Sequence, residues 1–183
     1  MKLETKRLIL RDIKVKDAES IRKHINNLDI SKWLLVVPYP YTEKDTEEWV
    51  KHCKEEQKKK PRKSYDLGIV LKENKDEVIG GAGISNIKYE QGTAEMGYWL
   101  SQNYWRQGIM YEALKKIVDF AFNKLKLRRL EIPAYSKNLG SNKIAQKLGF
   151  KFEGKLREAA VCKATRKIHD ENLYSLLRKE WKR

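Results

Sequence analysis

The hydrophobic pattern changes period midway along the chain, and that change limits the fold more than any other feature. Ala94 to Leu100 read as a strand, and after them apolar residues recur at Leu114, Ile117, Val118, Ala121, Phe122 and Leu125. Spacings of three and four put these on one helical face, a core stripe rather than a cofactor box. Leu130 to Tyr135 then read as another strand. Two strands joined through a helix are expected to lie parallel, so the chain is mixed α/β.

Around this centre, Tyr65 to Leu71 and Val78 to Ile87 precede Ala94 to Leu100 as successive strands. Glu73-Asn74-Lys75-Asp76 and Tyr89-Glu90-Gln91-Gly92 separate them as turns, which suggests an antiparallel meander. Upstream, Leu3 to Arg11 read as a first strand. Asp17 is a candidate N-cap for a helix with Ala18, Ile21, Ile25 and Leu28 on one face. Pro38 and Pro40 break the next stretch, and Thr42 with Asp45 opens a second helix that turns Trp49, Val50 and Cys53 inward. It is expected to fray into Lys54 to Lys63, a basic run that reads as a solvated helix end. Downstream come a short helix at Leu139 to Leu148 closed by Gly149, a strand at Phe150 to Leu156 and a last strand near Ile168 to Leu177. The expectation is one domain spanning residues 1–183, with a mostly antiparallel mixed sheet of about seven strands and about four helices.

The length, 183 residues, suits one ordinary core and falls short of two. Forty Lys and Arg against 25 acidic residues give a formal charge of +15. That field favours anionic partners such as phosphates or RNA and repels free polycations, although scattered charge also serves solubility or thermal adaptation. Cys53 and Cys162 do not make a disulfide scaffold, and three histidines offer no metal-ligand spacing, so no metal is expected. Charges interrupt the apolar residues at the start, and no run of eighteen apolar residues occurs. A soluble cytoplasmic protein with no membrane partner is expected.

The passage that carries chemistry is Glu95-Met96-Gly97-Tyr98-Trp99-Leu100, then Tyr104-Trp105-Arg106-Gln107-Gly108-Ile109-Met110, then the amphipathic helix. A turn entering a helix leaves backbone N–H groups unpaired beside the positive end of the dipole, which makes an anion site. One glycine before a helix is weak evidence alone, and an ordinary strand–helix turn is the commoner outcome.

Together with Asn138-Leu139-Gly140-Ser141, Leu148-Gly149-Phe150, Glu153-Gly154-Lys155-Leu156-Arg157 and Tyr174-Ser175-Leu176-Leu177 followed by Glu180-Trp181, this passage resembles the GNAT N-acetyltransferase superfamily. Thr5-Lys6-Arg7-Leu8-Ile9-Leu10-Arg11 and Tyr39-Pro40-Tyr41-Thr42 fit its RimJ/RimL-like branch, the ribosomal-protein N-terminal acetyltransferases. The resemblance spans essentially the whole chain. It implies that the strand ending at Leu100 and the strand at Leu130 to Tyr135 splay apart, and that the pantetheine arm of acetyl-coenzyme A slots between them. Backbone groups around Trp99 and Leu100 would pair with that arm. The pyrophosphate would sit on the amides of Arg106, Gln107, Gly108, Ile109 and Met110, with the Arg106 side chain adding charge. Asn138 resembles the asparagine that bonds the pantetheine arm. Pro133 fits a central strand only where the strands have parted.

Acetyl transfer to an amine needs a neutral nucleophile, a polarised carbonyl and a proton for the thiolate. Glu95 resembles the strand glutamate that removes the amine proton, a surface ion-pairing carboxylate being the alternative. Ser141 is the hydroxyl that the resemblance puts beside the sulfur, with an N-cap or first-turn role as its alternative. Where many relatives carry a tyrosine acid on that helix, this chain has Ala145. Tyr135 or Tyr174 could substitute, although buried structural tyrosine is the plainer account of each. Relatives usually carry glycine at the position of Arg106 and a small residue at that of Met110, so the bulk of Met110 bears on cofactor binding.

At neutral pH the neutral form of an α-amine is about 300 times as abundant as that of a lysine amine. With the branch resemblance, this points to a protein N-terminus as acceptor, on a surface suited to docking near ribosomal RNA. A small-molecule amine acetyltransferase, and a non-catalytic protein that binds coenzyme A or RNA on the same fold, are the rivals. A homodimer is compatible with the sequence but not specified by it.

Overall fold

The computed structural model describes residues 1–182. In chain order the strands are β1 (Lys2–Glu4), β2 (Leu8–Asp12), β3 (Tyr65–Leu71), β4 (Asn74–Lys88), β5 (Thr93–Leu100), β6 (Arg129–Tyr135), β7 (Lys151–Val161) and β8 (Ile168–Leu177). The helices are α1 (Ala18–Ile25), α2 (Leu28–Ser31), α3 (Glu43–Lys58), α4 (Ile109–Asn123) and α5 (Leu139–Lys147). The strands form one sheet in the order β1-β2-β3-β4-β5-β6-β8-β7, with β5 and β6 parallel and every other pair antiparallel.

Alternation along the strands divides the apolar residues between two layers. On one face Leu8, Leu10, Leu67, Ile69, Ala82, Ile84 and Met96 pack with the α4 stripe of Leu114, Ile117, Val118, Ala121 and Phe122, and with Ala145 of α5. On the other, Ile9, Val70 and Val78 meet Ile21 and Ile25 of α1 and Val50 and Cys53 of α3.

The crossover through α4 makes β5 and β6 parallel, as the change of period predicts, but they pair over only three positions, from Thr93↔Arg129 to Glu95↔Glu131. Beyond Glu95, β5 stays with β4 as far as Gly80↔Leu100, while β6 continues beside β8 as far as Tyr135↔Glu171. A gap therefore opens between them. Pro133 lies two residues past the last β5–β6 pair, where a missing N–H leaves no acceptor unmet.

Several expectations are corrected. The strand read from Leu3 to Arg11 is two, because Thr5 closes a tight turn: its N–H donates to the Leu8 carbonyl (3.0 Å) and its Oγ1 accepts from the Leu8 N–H (2.9 Å). That makes eight strands rather than seven. Asp17 does not cap α1 through its side chain. Its carboxylate, fully buried, instead accepts from Arg11 Nη1 (2.6 Å) and Nη2 (2.9 Å) and from the Lys14 N–H (2.7 Å). Leu28 is exposed, because α1 ends at Ile25 and Asn27 caps a separate one-turn helix, the fifth. The second helix does have the Thr42–Asp45 capping box, but it holds through Lys58 rather than fraying from Lys54, with Gln57 Nε2 donating to the Ile13 carbonyl (3.0 Å). β7 runs on to Val161 past two register shifts.

Candidate active site

The gap is floored by the segment that leads from β5 into α4. Gly108, at φ 74°, is the N-cap of α4, and Arg106 also sits in the left-handed region at φ 62°. Glycine accepts that geometry freely, whereas in arginine it is uncommon and strained. The two turns leave the backbone N–H groups of Arg106 through Tyr111 with no acceptor among the described residues. They stand at the positive end of α4, a site for phosphate. The Arg106 side chain is exposed and makes no ion pair among the described residues. The Met110 side chain is buried in the core at 6% exposure, so its bulk does not obstruct the loop.

Arg7, from the turn before β2, buttresses this loop. Its Nε donates to Glu112 Oε2 (2.7 Å) and its Nη1 to the Gln107 carbonyl (3.0 Å). Thr5 Oγ1 and the Arg7 N–H bond the other oxygen of Glu112. Burial would raise the Glu112 carboxyl, but these contacts hold it below the ordinary glutamate value.

Along β5 the Ser101 N–H donates to the Ile79 carbonyl, so alternation turns the backbone groups of Trp99 into the β4 ladder and those of Tyr98 and Leu100 toward the gap. The Leu100 carbonyl accepts from the indole Nε1 of Trp105 (2.8 Å). The Trp99 side chain packs with the α1–α3 layer, and a Cβ on Gly81 would lie 2.5 Å from its Nε1, so only glycine admits the ring across β4.

On the α5 side, the Tyr98 hydroxyl lies 2.7 Å from Ser141 Oγ. Burial pushes this phenol up to about 12, with Ser141 acting the other way, so it stays protonated at neutral pH, and either hydroxyl can donate in the contact. Asn138 is the N-cap of α5, and its Oδ1 accepts from the Ser141 N–H (3.1 Å), which leaves its amide NH2 to meet a ligand. Ser141 is thus a first-turn residue, not the cap. Tyr174 donates to Asn142 Oδ1 (2.9 Å) and is structural, while Tyr135 stacks on His169 with ring centroids 4.3 Å apart. Ala145 is wholly buried, and no hydroxyl replaces a tyrosine there.

Glu95 stands on the α1–α3 face, half-buried, between Ser85 of β4 and Glu131 of β6. Glu131 is paired with Arg129 Nε at 2.7 Å; Glu95 has no hydrogen bond or ion pair among the described residues. Burial, and then the charge of Glu95, push the Glu171 carboxyl up. On this same face a cleft of about 390 Å³ lies between β4–β5 and α1–α3, lined by Ile21, Ile25, Tyr41, Trp49, Gly97 and Trp99 among others. Glu95 is two residues along β5 from Gly97. The gap thus has phosphate-ready amides at one end, a hydroxyl pair on one face of the sheet, and a free carboxylate beside a cleft on the other.

Residues 7–151 match the family model for the acetyltransferase (GNAT) domain. The chain belongs to the GNAT family. It is an N-acetyltransferase of the acetyl-CoA-dependent kind that defines this family. It is 32% identical over 181 residues to the "Uncharacterized N-acetyltransferase p20" of Bacillus licheniformis, covering 98% of this chain and 97% of that one. It is 35% identical over 107 residues, 58% of each chain, to the ribosomal-protein-serine acetyltransferase of Escherichia coli. Its fold matches that of the ribosomal-protein-S5-alanine acetyltransferase of Vibrio fischeri with a TM-score of 0.84, at 24% identity over the full length of both. Among the described residues no group of His, Cys, Asp and Glu is arranged to hold a metal ion, and no helix is long and apolar enough to cross a membrane.

Two functional groups, Tyr98 and Arg7, carry no local sequence signal of their role. Tyr98 lies inside the β5 motif, but alternation with Met96 and Leu100 marks it as core. Arg7 stood inside the opening motif, and nothing local reports that the turn before β2 reaches the start of α4.

Proposed function

We propose that this GNAT enzyme acetylates the N-terminal α-amino group of a protein, of the ribosomal-protein kind, using the residues of the β5–β6 gap. The observation that carries the reading is the run of unpaired amides from Arg106 to Tyr111 at the mouth of a gap that also presents Ser141 and Glu95.

The residues fit acetyl-coenzyme A. The amides of Arg106, Gln107, Gly108, Ile109 and Met110 bind its pyrophosphate, the Arg106 guanidinium adds charge, and Arg7 holds the loop in shape. The open backbone groups of Tyr98, the Leu100 N–H and the Asn138 amide meet the pantetheine arm, and the Trp99 ring closes the acceptor side. When bound, acetyl-coenzyme A supplies the thioester carbon that the amine attacks. Glu95 takes the ammonium proton, directly or through water, which frees the nitrogen lone pair. As the C–N bond forms and the C–S bond breaks, Ser141 Oγ would give its proton to the leaving sulfur and take up the second proton of the attacking nitrogen, so that thiol, amide and serine all end neutral, and Tyr98 would orient that hydroxyl. The cleft beside Gly97 receives the acceptor's first residues.

An α-amine is the acceptor that loses its proton most readily at neutral pH. The ribosomal-protein relatives support the same choice, and the +15 charge supports docking beside ribosomal RNA. The test is thiol release from acetyl-coenzyme A with a panel of peptides and small amines, repeated with Glu95→Gln. The proposal expects turnover of free-N-terminus peptides, none of N-terminally blocked ones, and a loss of at least about a hundredfold in the variant. Turnover of small amines alone would move the assignment to a small-molecule acetyltransferase, and coenzyme A binding without any turnover would make the chain a binding protein.

A further inference from the structure

The acceptor cleft is walled by apolar and aromatic groups, yet it contains Asp45, Glu48 and Asp66. These carboxylates are not equivalent. Asp45 belongs to the capping box with Thr42, and the charge of Lys163, which also lines the cleft, reaches it. Asp66 accepts one hydrogen bond, from Ser64 Oγ at 2.6 Å, and forms no ion pair among the described residues. Burial pushes its carboxyl up; Ser64 and the His52 ring act the other way, and Glu56 adds to the rise. A carboxylate drawn out of water is unfavourable until a cation meets it. Among the described Lys and Arg residues, the cleft places none on Asp66.

The sheet register gives the distance to the reacting centre. Asp66 pairs with Gly83 on β4, and Gly83 pairs with Gly97 on β5. Two strand spacings, about 9.5 Å, therefore separate Asp66 from Gly97 across the cleft floor. The intervening row carries no side chain. A Cβ built on Gly97 would meet nothing within 4 Å, so the row is open where it reaches the cofactor strand. With an α-amine over Gly97 near Glu95, the long stem of a lysine or arginine lies along this floor between apolar walls and brings its charge to Asp66.

We propose that Asp66 is a specificity-determining residue that binds a cationic side chain of the acceptor, so that the enzyme prefers protein N-termini with lysine or arginine at the first or second position. This rests on the N-terminal reading above. The class of acceptor is an α-amine with a second positive charge one long side chain away, which the Asp66–Gly83–Gly97 row measures.

The test uses the full chain and peptides that differ only at those positions, with lysine replaced by the near-isosteric norleucine, and reads kcat and KM by thiol release. The proposal expects the lysine peptide to have the higher kcat/KM by on the order of tenfold or more, through KM, and the advantage to shrink with added salt. Asp66→Asn raises KM for the lysine peptide and brings the pair within about twofold. Calorimetric titration with coenzyme A checks that the variant is folded. Ser64→Ala, which keeps the carboxylate but removes its hydrogen bond, gives an intermediate preference and serves if Asp66→Asn does not fold. Equal turnover of both peptides by the unaltered enzyme, or a preference that survives loss of the carboxylate, overturns this inference and leaves N-terminal acetylation standing. Turnover of small amines with no peptide acetylated overturns both.

Discussion

The Tyr98 hydroxyl and Ser141 Oγ, 43 residues apart in sequence, lie 2.7 Å from one another across the gap. The contact ties the strand that meets the cofactor to the first turn of α5. A lone serine hydroxyl rotates freely, whereas one held against a neutral phenol has fewer proton directions open to it.

Tyr98→Phe removes that partner without a change of shape. It should lower kcat by about tenfold while KM for acetyl-coenzyme A stays within about twofold. Ser141→Ala should fall further, and the double variant no further than Ser141→Ala alone, since the two act as one unit. Steady-state kinetics of the three variants decide this; additive losses would separate the two hydroxyls.

The left-handed backbone at Arg106 allows its side chain and its backbone to be tested separately. Arg106→Gly relieves strain but adds chain entropy, so unfolding free energy should change by less than about 1 kcal/mol. The backbone amides remain and the guanidinium is lost. KM for acetyl-coenzyme A should rise several-fold, with a shallower dependence on salt. Urea unfolding and kinetics at two ionic strengths report the two effects independently.

Much of this arrangement could be read from sequence because it follows local rules. Tyr65–Leu71 and Ile168–Leu177 have the expected ends and the α4 stripe is buried, while the parting of β5 from β6 is what the GNAT resemblance implies and Pro133 is compatible with it. What stayed hidden depends on distant partners. Asp17 precedes a helix and reads as its cap, but Arg11 and the Lys14 N–H, both upstream, take its carboxylate. Tyr98 has core periodicity because its half-buried ring packs against the core, and only the placement of α5 gives its hydroxyl a partner. Asp66 sits in a strand with no local sign that its face borders a cleft.

The Arg11–Asp17 pair makes a stability prediction. Asp17 is fully buried and Arg11 is 9% exposed, so Asp17→Asn leaves a buried guanidinium without its counter-charge and weakens the turn at Lys14. The expected loss is about 3–5 kcal/mol by urea denaturation. Arg11→Met with Asp17→Leu should recover much of it, because an apolar pair of similar volume carries no desolvation cost.

Arg129 gives two hydrogen bonds to Glu153 (2.7 and 2.6 Å) across β6 and β7. These, with Ser175, hold the Glu153 carboxyl down at about 2. A depressed carboxyl stabilises the fold above the ordinary glutamate range and loses that contribution as pH falls toward its folded value. Glu153 is 39% exposed, so screening limits the effect to less than about 1 kcal/mol. The stability gap between the parent and Glu153→Gln should therefore narrow as pH is lowered from about 6 to about 3. A gap that stays constant over that range would show that Glu153 acts by shape and not by charge.

A crystal structure with coenzyme A bound tests the β5–β6 gap as the cofactor site. Pyrophosphate oxygens should lie within about 3 Å of the backbone nitrogens of residues 106–110, pantetheine between β5 and β6, and the sulfur within reach of Ser141 Oγ and on the Glu95 side of Tyr98. Coenzyme A bound elsewhere, or bound with its sulfur turned away from Ser141 and the Gly97 cleft, would contradict it.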